Sequence, residues 1–562
     1  MSSGFFKVAG GTVYDPVHGV NGERRDIWIR DGRIVDPPSD PGVQPDKTLD
    51  ASGLVVMPGG VDMHCHIAGP KVNSARKMRP EDKRKADKVM RTPSTRSGTM
   101  GSVPSTFATG YKYAGMGYTT AFDAAIPPLA ARHVHEEFED TPCIDKGFFV
   151  LMGNNHFVMQ SIQRNEPERL KSFMAWLLGA AKGFTPKIVN PGGVEVWKQL
   201  PSGNVHGLDE NVEHFGVTPR QIIEQIARAV DELRLPHSVH LHANNLGMPG
   251  NWRITLETMK TFGDSRGHLS HIQFHSYGGG DADETTFNSK AAELVEYVNA
   301  HPNLTVDVGQ VMFGQTTTMT ADGPLGYYLS NAFKSKWFSS DTEMESGCGI
   351  APIEYKNTSL VHSLQWAIGL EWYLLAKDPW RVVMSTDHPN GGSFLAYPHI
   401  IQLLMDRTYR ANILKQVHPA VLERSTLGDL TREYSLYEIC IITRSGPARI
   451  LGLANKGHLG PGADADITIY TPNDDKTKMF EMPRSVIKSG VVIVDQGEIR
   501  EPITGKLLYV APEYDAGIET DIADWFEQYY SIRFRNYPVP LDYLHDPEQI
   551  VCDGNYPGAQ LP

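Results

Sequence analysis

The sequence predicts an α/β fold: a parallel (β/α)8 barrel of the TIM type, with a small composite β domain formed by both termini. Three observations lead there. Eight short apolar runs recur along the chain, helical stretches separate most of them, and several end in histidine, lysine or aspartate. Strand ends are where such a barrel carries its reactive side chains.

The chain has 562 residues, more than one ordinary core takes up, so a large domain with smaller attachments is expected. Residues 1–55 hold short strand-like runs with turns at Asp31-Gly32 and at Gly53. Residues 456–512 repeat that style in ADADITIY and SVIKSGVVIVDQGEI, and the two stretches together are expected to form the composite β domain around a barrel at 56–455. The eight strands are expected at 60–66, 118–125, 147–154, 186–190, 238–243, 269–275, 304–310 and 381–387. Segments 168–182, 219–233, 289–300 and 363–377 have the apolar spacing of amphipathic helices. The connection from Ile67 to Gly117, with its glycines, prolines and basic residues, reads as an excursion at the active-site end. The aromatic tail, 513–562, reads as a docked extension or a contact with another subunit.

Composition excludes several classes. With 40% hydrophobic residues, a mean hydropathy of −0.32 and no apolar run approaching a membrane span, the chain reads as soluble and globular. The start, MSSGFFKVAGGTVYD, lacks the parts of a secretory signal, which points to the cytoplasm. Five cysteines without CxxC spacing indicate neither a disulfide framework nor an iron–sulfur site. A net charge of −13 argues against nucleic acid as a partner. Against that background residues 71–96 hold ten basic and three acidic side chains.

The chemistry starts at Gly60-Val61-Asp62-Met63-His64-Cys65-His66. Positions two apart on a strand point the same way, so His64 and His66 can bind one cation. Lys187 lies in an apolar strand, where an ammonium is costly; the reading here is that it becomes a carbamate able to bridge two metals, with Lys182 the poorer candidate in its helix. Two further segments each carry two histidines, His240 with His242 and His271 with His275. The member nearer the carboxyl end is expected at the barrel mouth, which selects His242 and His275 and keeps His240 and His271 as the alternatives. Asp387 closes the eighth strand. Together these residues make a candidate binuclear metal site.

In that order, His64-x-His66, Lys187, His242, His275 and Asp387 resemble the amidohydrolase superfamily with a carbamylated lysine. MPGGVDMHCHIAGPKVN, MGNNHFVM, KIVNPGG, HLHANNLG and STDHPNGG look more narrowly like the A subunits of formylmethanofuran dehydrogenase and of the formyltransferase/hydrolase complex. The resemblance implies two divalent metals, usually zinc, held by His64 and His66 and by His242 and His275, with carbamylated Lys187 between them. It implies hydrolysis, or the reverse condensation, of the N-formyl group of formyl-methanofuran or its methylofuran relative, with Asp387 relaying the proton to the departing amine. The other subunits of such a complex are then the expected partners. Asn155, His156 and His388 are expected near the substrate, and Lys83, Arg84 and Lys85 are expected to guide an anionic cofactor tail. A cyclic amidase acting on hydantoins or dihydropyrimidines, and a non-catalytic scaffold, are the competing readings.

Overall fold

The computed structural model describes residues 4–82, 93, 95, 101–200, 203–280, 284–340 and 348–554. Eight parallel strands follow one another in the barrel sheet: Gly60–Cys65, Tyr118–Ile126, Asp145–Leu151, Pro186–Val189, Val239–His242, Gly267–Leu269, Leu304–Asp307 and Val382–Val383. The eighth meets the first through a parallel bridge between Cys65 and His388, where the His66 N–H donates to the His388 carbonyl at 2.7 Å. The strands are buried because helices cover one face and side chains fill the other, which explains their nearly unbroken apolar runs.

The expected helices are present as Pro167–Ala181, Pro219–Glu232, Ala291–Ala300 and Leu360–Leu375. The second has a sharp start because Thr218 and Gln221 form a reciprocal capping box ahead of Pro219. Its apolar stripe of Ile222, Ile223, Ile226 and Val230 faces the barrel core.

Both termini build the second sheet. Val55–Pro58 pairs antiparallel with Ile467–Tyr470, joining the strands of residues 6–58 to those of residues 467–499 in one nine-stranded sheet. Its own small core includes Val8, Ile29, Val56, Ile467 and Ile487.

Two parts differ from the sequence expectation. Leu507–Val510, inside the stretch assigned to the β domain, instead pairs with the third barrel strand at Lys146 and with Pro547–Ile550 of the tail. The tail docks through Phe526, Phe534 and Tyr537, whose rings lie 5.4–5.8 Å from Trp176. The second difference is an insert between the seventh and eighth strands. Gly314–Thr320, Phe338–Ser340 and Cys348–Tyr355 form a separate antiparallel sheet, and helix Gly323–Phe333 packs on it. Gly326 and Gly349 permit that packing: a Cβ on Gly326 would meet the Gly349 Cα at 2.4 Å. Among the described residues, no helix is long and apolar enough to cross a membrane.

Candidate metal centre

The carboxyl ends of the strands converge on a fully buried group of histidines and carboxylates. The Nε2 atoms of His64 and His66 each lie 3.0 Å from Asp387 Oδ1. The first strand therefore points both rings at Asp387, four residues beyond the end of the eighth strand. Behind His64, its Nδ1 is 3.0 Å from Asp307 Oδ2 and 3.0 Å from His240 Nε2. Asp307 also accepts from Ser385 Oγ at 2.5 Å and from the His271 N–H at 3.1 Å, and its Oδ2 is 3.1 Å from His268 Nε2. Asp307 is thus a hub beneath the site, orienting several groups at once.

Lys187 is buried at the fourth strand, and its ammonium donates to Ser270 Oγ at 2.9 Å. Burial lowers its pKa to about 7, against the opposing pull of Asp307 and Asp387. An amine near neutrality has an appreciable unprotonated fraction, which is the form that adds carbon dioxide. Burial likewise opposes charge on His64, but the carboxylates of Asp307 and Asp387 outweigh it and lift the pKa to about 9. Negative potential concentrated this way suits a cation.

The geometry revises one expectation about the sixth strand. That strand ends at Leu269, and the chain turns at His271, with φ 37°, into a short 3-10 helix, Ile272–His275. Alternation by two no longer applies beyond Leu269. His271, rather than His275, shares ligand-atom reach with His64 and Asp387, all within 4.8 Å of one another. Gly309 makes room for this turn, since a Cβ there would come within 2.4 Å of the His271 Cβ. His275 lies beside the group, its ring 5.6 Å from that of His242 and 5.4 Å from that of His271. Both nitrogens of His275 are buried without a hydrogen-bond partner, as is His271 Nδ1. Unpartnered buried ring nitrogens cost about 1–3 kcal/mol each unless something else binds them. A donor set of imidazoles, a carboxylate and an amine fits divalent zinc-type cations well.

His242 closes the other side, 4.8 Å from the His271 ring, with its Nε2 3.1 Å from Asp322 Oδ2. Asp387, like His271, has a left-handed backbone, φ 50°. Such strain costs roughly 1–3 kcal/mol and concentrates at functional positions. The remaining candidates make other side-chain contacts or fall outside the described residues. Asn155 caps helix His156–Gln163 by accepting from the Phe157 and Val158 N–H groups, and His156 Nε2 is 2.9 Å from Glu195. His388 accepts from the Phe394 N–H at 3.3 Å, and burial lowers its pKa to about 3. Lys83, Arg84 and Lys85 fall outside the described residues.

Sequence reasoning misses four residues around this group: Asp307, Asp322, Ser270 and Asp123, whose Oδ1 lies 3.4 Å from His66 Nδ1. Asp123 and Asp307 lie inside the expected strands 118–125 and 304–310 rather than at their ends, and only the observed seventh strand, Leu304–Asp307, ends at Asp307. Asp322 lies in the insert and gives no such signal.

A cleft of about 260 Å³ is lined mostly by apolar groups, among them Leu246, Phe274, Leu325, Tyr328 and Ile353, with Asp387 and Asn390 among its polar lining residues. An apolar slot with a few polar groups suits a ring-bearing small molecule with one reactive polar end.

Comparison with known proteins identifies the family and the fold. The amidohydrolase family model matches residues 47–494. "Protein FwdA" of Methanocaldococcus jannaschii is 44% identical over 97% of this chain and 98% of its own length. The A subunit of the formyltransferase/hydrolase complex Fhc of Methylorubrum extorquens is 38% identical over 95% of this chain and 96% of its own. The crystal structure of that organism's FhcABCD complex with methylofuran superposes with a TM-score of 0.91 at 37% identity, covering 98% of this chain and 100% of the other. With strand order, strand-end donors and sequence all in agreement, the chain belongs to the amidohydrolase family.

Proposed function

We propose that this chain is the amidohydrolase subunit of a formyltransferase/hydrolase complex and cleaves the N-formyl bond of formyl-methanofuran or formyl-methylofuran, releasing formate and the free amine. The observation that carries the reading is the 38% identity to an Fhc A subunit over nearly the full length, in a chain whose strand-end donors gather in one buried cluster. The ligand set of the proposal is His64, His66, Lys187 as its carbamate, His242, His271 and Asp387, with His271 taking the place that the sequence expectation gives to His275.

Bound there, two divalent cations, zinc by donor type, would lower the pKa of a water molecule toward neutrality and polarise the formyl carbonyl. The protein's own groups do the rest. The apolar walls of the cleft hold a furan-type ring and exclude bulk water, which places the formamide beside Asp387. Asp387 accepts the proton of the attacking water and delivers it to the amine nitrogen as the C–N bond breaks. Formate and an amine balance the reaction, and formamide formation is the same path reversed. The excess of basic residues in 71–96 supplies attraction for an anionic tail on such a carrier.

A second reading, condensation of formate with methanofuran as the A subunit of a formylmethanofuran dehydrogenase, is favoured by the 44% identity to FwdA. Affinity purification from the native cell separates the two. A formyltransferase subunit in the eluate, with release of formate from added formyl-methylofuran, supports the first; a tungsten- or molybdenum-containing subunit supports the second. An eluate with neither and no formate release contradicts both.

A further inference from the structure

The insert between the seventh and eighth strands reaches the metal centre through one side chain. Asp322 sits where strand Gly314–Thr320 gives way to helix Gly323–Phe333, and it is buried, 2% exposed. Its two carboxylate oxygens face different ways. Oδ1 accepts from the Leu325 N–H at 3.2 Å, which caps the helix, and from Asn190 Nδ2 at 3.1 Å. Oδ2 lies 3.1 Å from His242 Nε2. The backbone is fixed as well, because the Asp322 N–H donates to Thr320 Oγ1 at 3.1 Å.

A carboxylate can only accept a hydrogen bond, so the contact with His242 requires the imidazole proton on Nε2. A neutral imidazole with its proton there carries its lone pair on Nδ1. Resting on the metal-centre reading above, we infer that Asp322 is a positioning residue that fixes the tautomer and ring orientation of His242, so that Nδ1 is the atom offered to a cation. The same helix that Asp322 caps contributes Leu325, Tyr328 and Leu329 to the substrate cleft. One residue therefore ties the wall that grips the substrate to a ligand of the metal pair. Carboxylates that hold metal-binding histidines typically contribute 10–100-fold in metal affinity.

Asp322→Asn tests this assignment, because the amide keeps an oxygen to cap Leu325 while its nitrogen cannot accept from the imidazole. Both proteins are stripped with chelator and titrated with Zn2+ alone against a competing chromophoric chelator, in bicarbonate buffer. The wild type takes up two ions; the variant keeps one at wild-type strength and binds the other 10–100-fold more weakly, while the thermal midpoints of the two stripped proteins stay close. Asp322→Glu, which retains an acceptor, recovers part of the lost affinity. Equal Zn2+ affinity in Asp322→Asn and wild type overturns the assignment alone. A lowered stripped-state midpoint with unchanged affinity overturns it too, leaving Asp322 only its capping role. A wild type that binds no Zn2+ overturns the metal-centre reading and this inference together.

Discussion

At the residue scale the site depends on groups held in costly states. Asp387 keeps a carboxylate in a buried position: burial would raise its pKa, but the neighbouring His64 and His271 hold it well below the usual carboxylate range. It is therefore ionised and able to take a proton as soon as one is released. Asp387→Asn should retain most bound metal yet lower kcat by about 10²–10⁴-fold, the usual contribution of a general acid/base. Steady-state formate release beside elemental analysis of the same sample checks this. If the variant turns over normally, the proton relay lies elsewhere. Lys187 gives a pH prediction. Its folded pKa of about 7 is lower than the ordinary lysine value, so the amine is mostly protonated at pH 6 and mostly neutral at pH 8. Recovery of activity after metal stripping, with bicarbonate and Zn2+ supplied, should therefore be faster at pH 8 than at pH 6. Lys187→Ala should not recover at either pH. The sign extends to stability: between the folded value and the unfolded one the unfolded chain binds more protons, so the stripped protein gains stability as pH rises through that window.

At the scale of elements, the pattern of apolar runs locates all eight barrel strands and four helices, because each is long or buried enough for its periodicity to show. Strand ends are harder to read. Position nearer the carboxyl end selects His275 over His271 only if the sixth strand continues, whereas that strand ends at Leu269 and the chain turns left-handed at His271. That turn depends on Gly309, distant in sequence, making space beside it. The insert is not legible at all. Its threonine-rich strand, Gly314–Thr320, alternates neither as a buried nor as a half-buried strand, and its partner Cys348–Tyr355 lies some thirty residues on. Function concentrates in this unread element, since it supplies both Asp322 and much of the cleft wall. Leu325 is the cleft residue nearest the cap. Leu325→Ala should raise KM about tenfold, in keeping with the roughly 1–3 kcal/mol of a missing methylene-scale contact, with a smaller effect on kcat. A fall in kcat at unchanged KM would instead place Leu325 in alignment of the reacting bond.

At the scale of the whole molecule, barrel, β sheet and tail are joined by a buried charge cluster. Asp145 of the third barrel strand pairs with Lys456 and with Lys488, the latter at 2.8 Å. Lys488 also meets Asp466 at 3.0 Å, and Lys506, which precedes strand Leu507–Val510, pairs with Glu548 of the tail strand at 2.6 Å. Burial alone would raise the Asp145 pKa, but Lys456 and Lys488 together hold it far below the ordinary range. A depressed carboxyl contributes stability that is present above its unfolded value, near pH 4, and lost as pH falls further. Stability to denaturant should therefore decline steeply below about pH 4. Lys488→Met, which leaves buried carboxylates short of a partner, should cost about 3–5 kcal/mol at neutral pH. A loss well below that range, read from urea midpoints, would mean that the cluster relaxes to let water in. The two Asp145 pairings are not legible in sequence, because they join residues more than three hundred positions apart.

The central claim is that strand-end donors of this barrel hold two metals bridged by a modified lysine. Anomalous diffraction at the zinc edge, on crystals grown with Zn2+ and bicarbonate, tests it most directly. Two peaks within the cluster are predicted, with branched density beyond Lys187 Nζ between them and His271 among the ligands. Absence of peaks, or a single peak below the cluster at His240 and Asp307 with an unmodified Lys187, would contradict it.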